Sequence, residues 1–171
     1  IPKNQETAHE YFQLSADQNV AEALYMLGVY HSEGLGGLSK SDFNAIENFE
    51  KAMKLGHGPS TYSLGLCYNK DNRRRKALEM WKKAADDMGH ADSQYIVGSC
   101  YHLGSREMPK KQKKAREYFQ LSADQNHAKA LYMLGEYQYY GMGELNQNVE
   151  MAASMFARAS DLGNVPSSYM L

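Results

Sequence analysis

Ten residues, EYFQLSADQN from Glu10 to Asn19, recur letter for letter from Glu117 to Asn126, and ALYMLG at Ala23–Gly28 returns at Ala130–Gly135. Weaker copies of both segments lie between them. Two markers give the period independently. Gly28, Gly65, Gly98 and Gly135, each after Leu or Val, are spaced 37, 33 and 37 apart, and Asn19, Gly56, Gly89, Asn126 and Gly163 are spaced 37, 33, 37 and 37. Periods of this size belong to arrays in which no unit buries its own apolar face and neighbouring units make the core together. Function is then expected on a surface.

Within each period two helical patterns alternate. The first, A, spans about 21–32, 60–69, 92–103 and 129–140; the second, B, spans about 42–55, 75–88, 113–124 and 149–162, with a further B helix inside 1–19. Every B helix carries Ala, an aromatic residue and Ala on one face: Ala8, Phe12, Ala16; Ala45, Phe49, Ala52; Ala77, Trp81, Ala84; Ala115, Phe119, Ala123; Ala152, Phe156, Ala159. That spacing is one stripe of a helix turned inward. Glycines such as Gly34, Gly36 and Gly37 end the A helices, whereas YNKDNRRR after Cys67 lacks them, so the A-to-B corner there is expected to be tighter. The units read as 20–56, 57–89, 90–126 and 127–163, with partial units 1–19 and 164–171, all in one domain over 1–171. Neither end resembles a polar cap, and a longer natural array is expected.

ALYMLGVYHSEGLGG followed by AIENFEKAMKLGH, and SQYIVGSCYHLG followed by KAREYFQLSADQNH, resemble the Sel1-like repeat, a relative of the tetratricopeptide repeat. The resemblance covers essentially the whole chain. It implies an all-α fold, a right-handed α–α superhelix, that serves as a scaffold or adaptor without catalysis. His31 and Gln138 depart from it, since a Tyr such as Tyr68 or Tyr101 is expected there.

Composition sets few further limits. With 43% hydrophobic residues and 4 prolines among 171, the chain has material for a core. Its longest apolar run falls short of the roughly 18 residues that span a bilayer, so no membrane insertion is expected. The first residue is Ile rather than Met, which leaves room for a removed leader. Cys67 and Cys100 hold one position in successive units, about one helix-packing distance apart and beyond disulfide reach, so both are expected to be free thiols. A soluble chain in the cytoplasm or another reducing compartment follows as the expectation.

No catalytic, cofactor or metal motif is present. His57, His90 and His127 each follow the residue that ends a B helix and read as turn residues; no HxxxH or CxxC pair supplies close ligands. Tyr25, Tyr62, Tyr95, Tyr132 and Tyr169 form a ladder along the A helices, read as inter-unit packing with a binding ladder as the alternative. At 100° per residue, the positions two before and one and two after each marker glycine cluster off the core stripe. They are Met26, Val29, Tyr30; Ser63, Leu66, Cys67; Ile96, Ser99, Cys100; and Met133, Glu136, Tyr137. This mostly apolar strip is the expected groove for a protein or peptide partner; the alternative is that packing buries it. No small-molecule substrate is implied.

Charge is unevenly placed. Lys70–Arg116 holds 13 Lys or Arg against 6 Asp or Glu although the whole chain carries −1. Lys70, Arg73, Arg74, Arg75 and Lys76 form one cluster, and Lys110, Lys111, Lys113, Lys114 and Arg116 another, both in A-to-B corners. They are expected to make one basic edge for an acidic segment. A nucleic-acid-binding array using that edge is the alternative, disfavoured by the neutral overall charge and by the lack of aromatic residues among the cations.

Overall fold

The computed structural model describes residues 3–163. The described residues form nine helices and no strand: α1 (Lys3–Ala16), α2 (Ala21–Glu33), α3 (Asp42–Lys54), α4 (Gly58–Lys70), α5 (Arg74–Asp86), α6 (Ala91–Leu103), α7 (Gln112–Ala123), α8 (Ala128–Tyr140) and α9 (Val149–Asp161). Every expected helix is found within two residues of its expected bounds. The partial unit at 164–171, with Tyr169, lies outside the described residues.

The described residues divide into two compact units, with the boundary between residues 84 and 85. In the first, α1 packs on α2, α2 on α3 and α3 on α4; in the second, α6 packs on α7, α7 on α8 and α8 on α9. Even-numbered helices are A and odd-numbered helices are B.

Both sequence markers have a physical cause. The A-helix glycines are sites where an aromatic ring of the following B helix lies on bare backbone: Phe49 over Gly28, Trp81 over Gly65, Phe119 over Gly98 and Phe156 over Gly135. A Cβ on Gly98 would stand 2.8 Å from the Phe119 ring, closer than real side chains approach. The second marker set ends the B helices with positive φ: Asn19 57°, Gly56 81°, Gly89 64°, Asn126 60° and Gly163 85°. Only Gly and Asn adopt that left-handed geometry at little cost. It lets the next N–H reach back into the helix, as His57 N–H does to the Ala52 carbonyl at 3.1 Å.

The A-to-B corners share one bond. The carbonyl three residues past each marker glycine accepts the backbone N–H of the residue preceding the B helix: Ser41 to His31, Lys111 to Tyr101 and Asn148 to Gln138, each at 2.9 Å, and Arg73 to Tyr68 at 2.8 Å. The first three span ten residues and the last spans five. The short repeat therefore loses five corner residues, not four, and regains one between Trp81 and Gly89, where the other repeats have one residue fewer from ring to turn. The bond survives because Asn72, at φ 59°, turns the chain in place of the glycines.

The B-helix stripes are buried as their spacing requires. Ala45, Ala52, Ala77, Ala84, Ala115, Phe119, Ala152 and Ala159 are no more than 0% exposed, and Phe49, Trp81 and Phe156 are also core. In α1, Ala8 and Phe12 are only half-buried. Trp81 carries a buried indole N–H with no partner, where the other repeats have Phe. Trp81→Ala should cost about 3–5 kcal/mol in chemical denaturation through the cavity it leaves. Trp81→Phe, which removes the unpaired donor and keeps a ring on Gly65, should cost less than half as much.

Candidate functional site

Helix starts fix the rims of the A-helix faces. Three A helices open with histidine as N-cap: the backbone N–H of Ser60, Ser93 and Ala130 donates to Nδ1 of His57, His90 and His127 at 3.3, 3.3 and 3.2 Å. An accepting Nδ1 carries no proton, so Nε2 carries it. Nε2 of His57 meets Glu22 at 2.9 Å and Nε2 of His127 meets Asp92 at 3.2 Å, each carboxylate lying on the preceding A helix. The same imidazoles pack on tyrosines of the ladder. Tyr25 lies 5.1 Å from His57 and 5.9 Å from Phe49, and Tyr95 lies 5.0 Å from His127 and 5.9 Å from Phe119. Within each unit His57 with Tyr25, and His127 with Tyr95, hold neighbouring repeats together.

The expected apolar strip divides into two kinds of residue. In the first unit Val29, Ser63, Leu66 and Cys67 line a groove of about 400 Å³ with Phe49, and Ser32, Glu33, Lys40, Asp42 and Lys70 complete its wall. Leu66 is 43% exposed, while Met26, Ile96, Cys100 and Met133 are half-buried. Tyr30 and Tyr137 do not belong to an exposed strip. They are 8% and 0% exposed, because each points back at the preceding B helix and fills the space beside its aromatic ring. Tyr30 meets Phe12 edge-on at 5.5 Å, and Tyr137 meets Phe119 edge-on at 5.8 Å. The Tyr137 hydroxyl also hydrogen-bonds His102 Nδ1 at 2.9 Å, and burial pushes its pKa up to about 12.

This burial explains the departures at His31 and Gln138. The four A helices read GVYH, GLCY, GSCY and GEYQ from the marker glycine, so each places one tyrosine at either the second or the third position after it. Where the second is Tyr, the third is His31 or Gln138. Where the second is Cys67 or Cys100, the third is Tyr68 or Tyr101, both 8% exposed. Tyr68 donates to Glu50 at 3.2 Å and Tyr101 stacks on Tyr118 at 5.7 Å. The alternation is visible in the sequence, but its meaning requires knowing that both positions face packed helices.

The basic clusters are exposed except for Arg116, and several cations are engaged. Lys70 pairs with Asp42 at 2.6 Å, and that hydrogen bond holds the Asp42 carboxyl below its usual range. Lys113 pairs with Glu144 at 2.8 Å. The Arg73 guanidinium and the Lys76 ammonium lie over the Tyr68 ring at 4.8 and 5.5 Å, and Lys114 lies over Tyr101 at 5.6 Å. Aromatic residues therefore do sit among the cations, although these two rings are buried in the repeats and offer no face to a nucleobase. Arg74, Arg75, Lys110 and Lys111 are exposed on the first turns or entries of α5 and α7, which carry no acidic residue in their first turns. In the second unit a groove of about 610 Å³ that the sequence did not signal runs between α7 and α9, walled by Arg116, Gln120, Leu121, Leu134 and Met155.

Cys67 and Cys100 are free thiols. Burial raises the pKa of both, and Asp42 adds to the effect at Cys67. Among the described residues no cluster of three or more His, Cys, Asp or Glu is placed to hold a metal ion, and no helix is long and apolar enough to cross a membrane.

Two measurements check this layout. The thiolate is the reactive form, so raised pKa values leave less of it at neutral pH. Native alkylation at neutral pH should then run slower than for a free cysteine and accelerate as the pH rises through and above the ordinary thiol range, while denatured, unreduced protein yields two thiols. Tyr137→Ala should cost about 3–5 kcal/mol of stability, as loss of a buried aromatic does. Leu66→Ala should cost under about 1 kcal/mol, as an exposed position does.

Comparison with known proteins agrees with this architecture. Residues 1–20, 21–57, 58–87, 91–127 and 128–164 each match the Sel1 repeat model. Chitin synthase regulatory factor 3 of Schizosaccharomyces pombe is 34% identical over 77 residues, which is 42% of this chain and 8% of that protein. A protective antigen of uropathogenic Escherichia coli displaying an SLR fold superposes with a TM-score of 0.83 at 26% identity, over 93% of this chain and 34% of its own. A Sel1 repeat protein from Oxalobacter formigenes superposes at 0.89 with 22% identity, over 98% of this chain and 49% of its own. The aromatic-on-glycine repeat and the family matches running through nearly the whole chain lead to one conclusion: this all-α repeat solenoid belongs to the Sel1 repeat family.

Proposed function

We propose that this chain is a non-enzymatic scaffold that holds a protein or peptide partner on the A-helix face of its first unit, in the groove between α2 and α4. Sel1 repeat folds commonly serve as protein-interaction scaffolds and are generally non-catalytic. The fungal relative is by name a regulatory factor. The observation that carries the reading is the groove itself. Leu66, Val29 and Cys67 expose apolar surface beside Phe49, and the wall holds charges of both signs, Lys40 and Lys70 with Asp42 and Glu33. An apolar side chain of the partner would be desolvated against Leu66 and Val29, where affinity is concentrated, and the charged wall would fix its direction. Met26, Ile96, Cys100 and Met133 add half-buried apolar surface on the same face of their own helices.

A second reading places an acidic ligand on the corner cations. It is favoured by the exposed Arg74 and Arg75 and by Lys110 and Lys111, which stand at helix starts that have no acidic residue in their first turns. One experiment separates the two. A partner captured by crosslinking to the natural protein is purified, and its Kd is measured against wild type, Leu66→Glu and the double variant Arg74→Glu, Arg75→Glu. The groove reading expects Leu66→Glu to weaken binding about tenfold or more with Tm unchanged. The charge reversal should mainly slow association, an effect that shrinks above about 0.15 M salt as the screening length falls to about 8 Å. Unchanged binding by Leu66→Glu, together with loss of binding at all salts on charge reversal, would make the basic corner the site.

A further inference from the structure

The third position after each marker glycine carries His31, Tyr68, Tyr101 and Gln138 in turn. In the first unit Tyr68 lies in the trough between two B helices. Its hydroxyl donates to Glu50 of α3 at 3.2 Å, and Arg73 and Lys76, at the entry and first turn of α5, cover its ring. In the second unit Tyr101 stacks on Tyr118 of α7 at 5.7 Å. Both tyrosines are 8% exposed. His31 also keeps a ring at this position, with Nδ1 buried. Of the four, Gln138 alone has no ring.

Beside Gln138 the trough stays open as the groove of about 610 Å³ between α7 and α9. The neighbouring Tyr137 does not fill it, being turned to Phe119 and His102. The walls are positions that hold a tyrosine in the other repeats. Gln120 follows Phe119 as Glu50 follows Phe49, and Met155 precedes Phe156 as Tyr118 precedes Phe119. One wall therefore corresponds to the partner of Tyr68 and the other to the partner of Tyr101. Gln120 Nε2 donates to Asp124 at 2.7 Å, which leaves Oε1 to accept a hydroxyl. Met155 offers a thioether to a ring, and Leu121 and Leu134 complete an apolar floor. Arg116, half-buried at the rim, makes no hydrogen bond or ion pair among the described residues.

We propose that this groove is a slot for a tyrosine side chain on an acidic peptide segment of a partner protein, a site separate from the α2–α4 groove. The incoming ring takes the place that Tyr68 and Tyr101 hold in their own repeats, between the Gln120 wall and Met155. Its hydroxyl donates to Gln120 Oε1, as Tyr68 donates to Glu50. An aliphatic side chain would cover the floor but leave the Gln120 and Gln138 amides facing it without a partner, which burial penalises. Charge selects an acidic segment. From Lys110 to Glu117 the chain carries Lys110, Lys111, Lys113, Lys114 and Arg116 against the single acid Glu117. Lys113 is held by Glu144, but Lys110 and Lys111 are exposed at the entry of α7 and Arg116 stands at the groove itself. A carboxylate beside the tyrosine pairs with Arg116, and further acids run toward Lys111.

The test titrates the peptide acetyl-Glu-Asp-Tyr-Asp-Glu-amide into protein labelled at its Met and Leu methyl groups and follows their NMR shifts. Saturable shifts of Met155, Leu121 and Leu134 are expected, with a Kd of about 1 mM or tighter, while Leu66 in the other groove stays unmoved. The same peptide with alanine for tyrosine should bind about tenfold more weakly or worse. Arg116→Gln should weaken the tyrosine peptide about threefold or more. Gln138→Tyr, which fills the slot from within, should abolish the shifts. Leu121→Glu blocks the same groove from a position that is 50% exposed and decides the matter if Gln138→Tyr fails to fold. Absent shifts, shifts confined to Leu66, equal binding of the alanine peptide, or binding retained by the folded blocking variants overturns the proposal. So does a dimer in sedimentation whose formation moves the same methyl groups without peptide, since the occupant is then a second copy.

Discussion

The contact on which each repeat depends is an aromatic ring lying on bare helix backbone. Phe49, Trp81, Phe119 and Phe156 rest on Gly28, Gly65, Gly98 and Gly135, and a methyl group at any of these glycines would occupy ring space. A glycine inside a helix sacrifices roughly 1 kcal/mol of helix propensity relative to Ala. Burying most of an aromatic side chain against it returns several times that amount, at the ~25 cal/mol per Å² of apolar area removed from water. The alanines flanking each ring follow from the same geometry, since helices this close leave no room for larger side chains.

Around that contact the repeat tolerates variation wherever another group can meet the same backbone requirement. The ten-residue corner bond of three repeats becomes a five-residue bond in the fourth, with Asn72 replacing glycines as the left-handed residue. Histidine caps three A helices, whereas Val20 offers no side-chain cap at the corresponding place. The tyrosine after the marker glycine shifts by one position, and its neighbour changes between Cys and His or Gln to match. In each case the constraint is conserved volume or one satisfied N–H rather than a particular residue.

What the packing leaves exposed is accordingly small and local. Aromatic residues that looked available for binding are mostly consumed: Tyr25 and Tyr95 by the capping histidines, Tyr30 and Tyr137 by the preceding helix, and Tyr68 and Tyr101 as supports for cations. Lys70 and Lys113, which pair with Asp42 and Glu144, contribute less to a long-range field than their charge alone suggests. Leu66 and its groove, the Arg74–Arg75 turn and the groove between α7 and α9 remain as surfaces with unspent chemistry.

The sequence by itself determined the all-α repeat, its period, the helix bounds and the inward B-helix stripes, because each rests on local periodicity or on a backbone geometry that only Gly or Asn adopts readily. It also located the free thiols, since repeat-equivalent positions cannot come within disulfide reach. The face of the A helix was less legible. Met26, Val29, Tyr30 and Met133, Glu136, Tyr137 share a helical sector, and a helical wheel assigns them one environment. Only the tertiary structure decided that Tyr30 and Tyr137 lie in the core while Leu66 faces solvent. In the first unit α2 touches α1 and α3, and in the second α8 touches α7 and α9, so the second contact comes from the preceding repeat, a distance in sequence that no local period encodes.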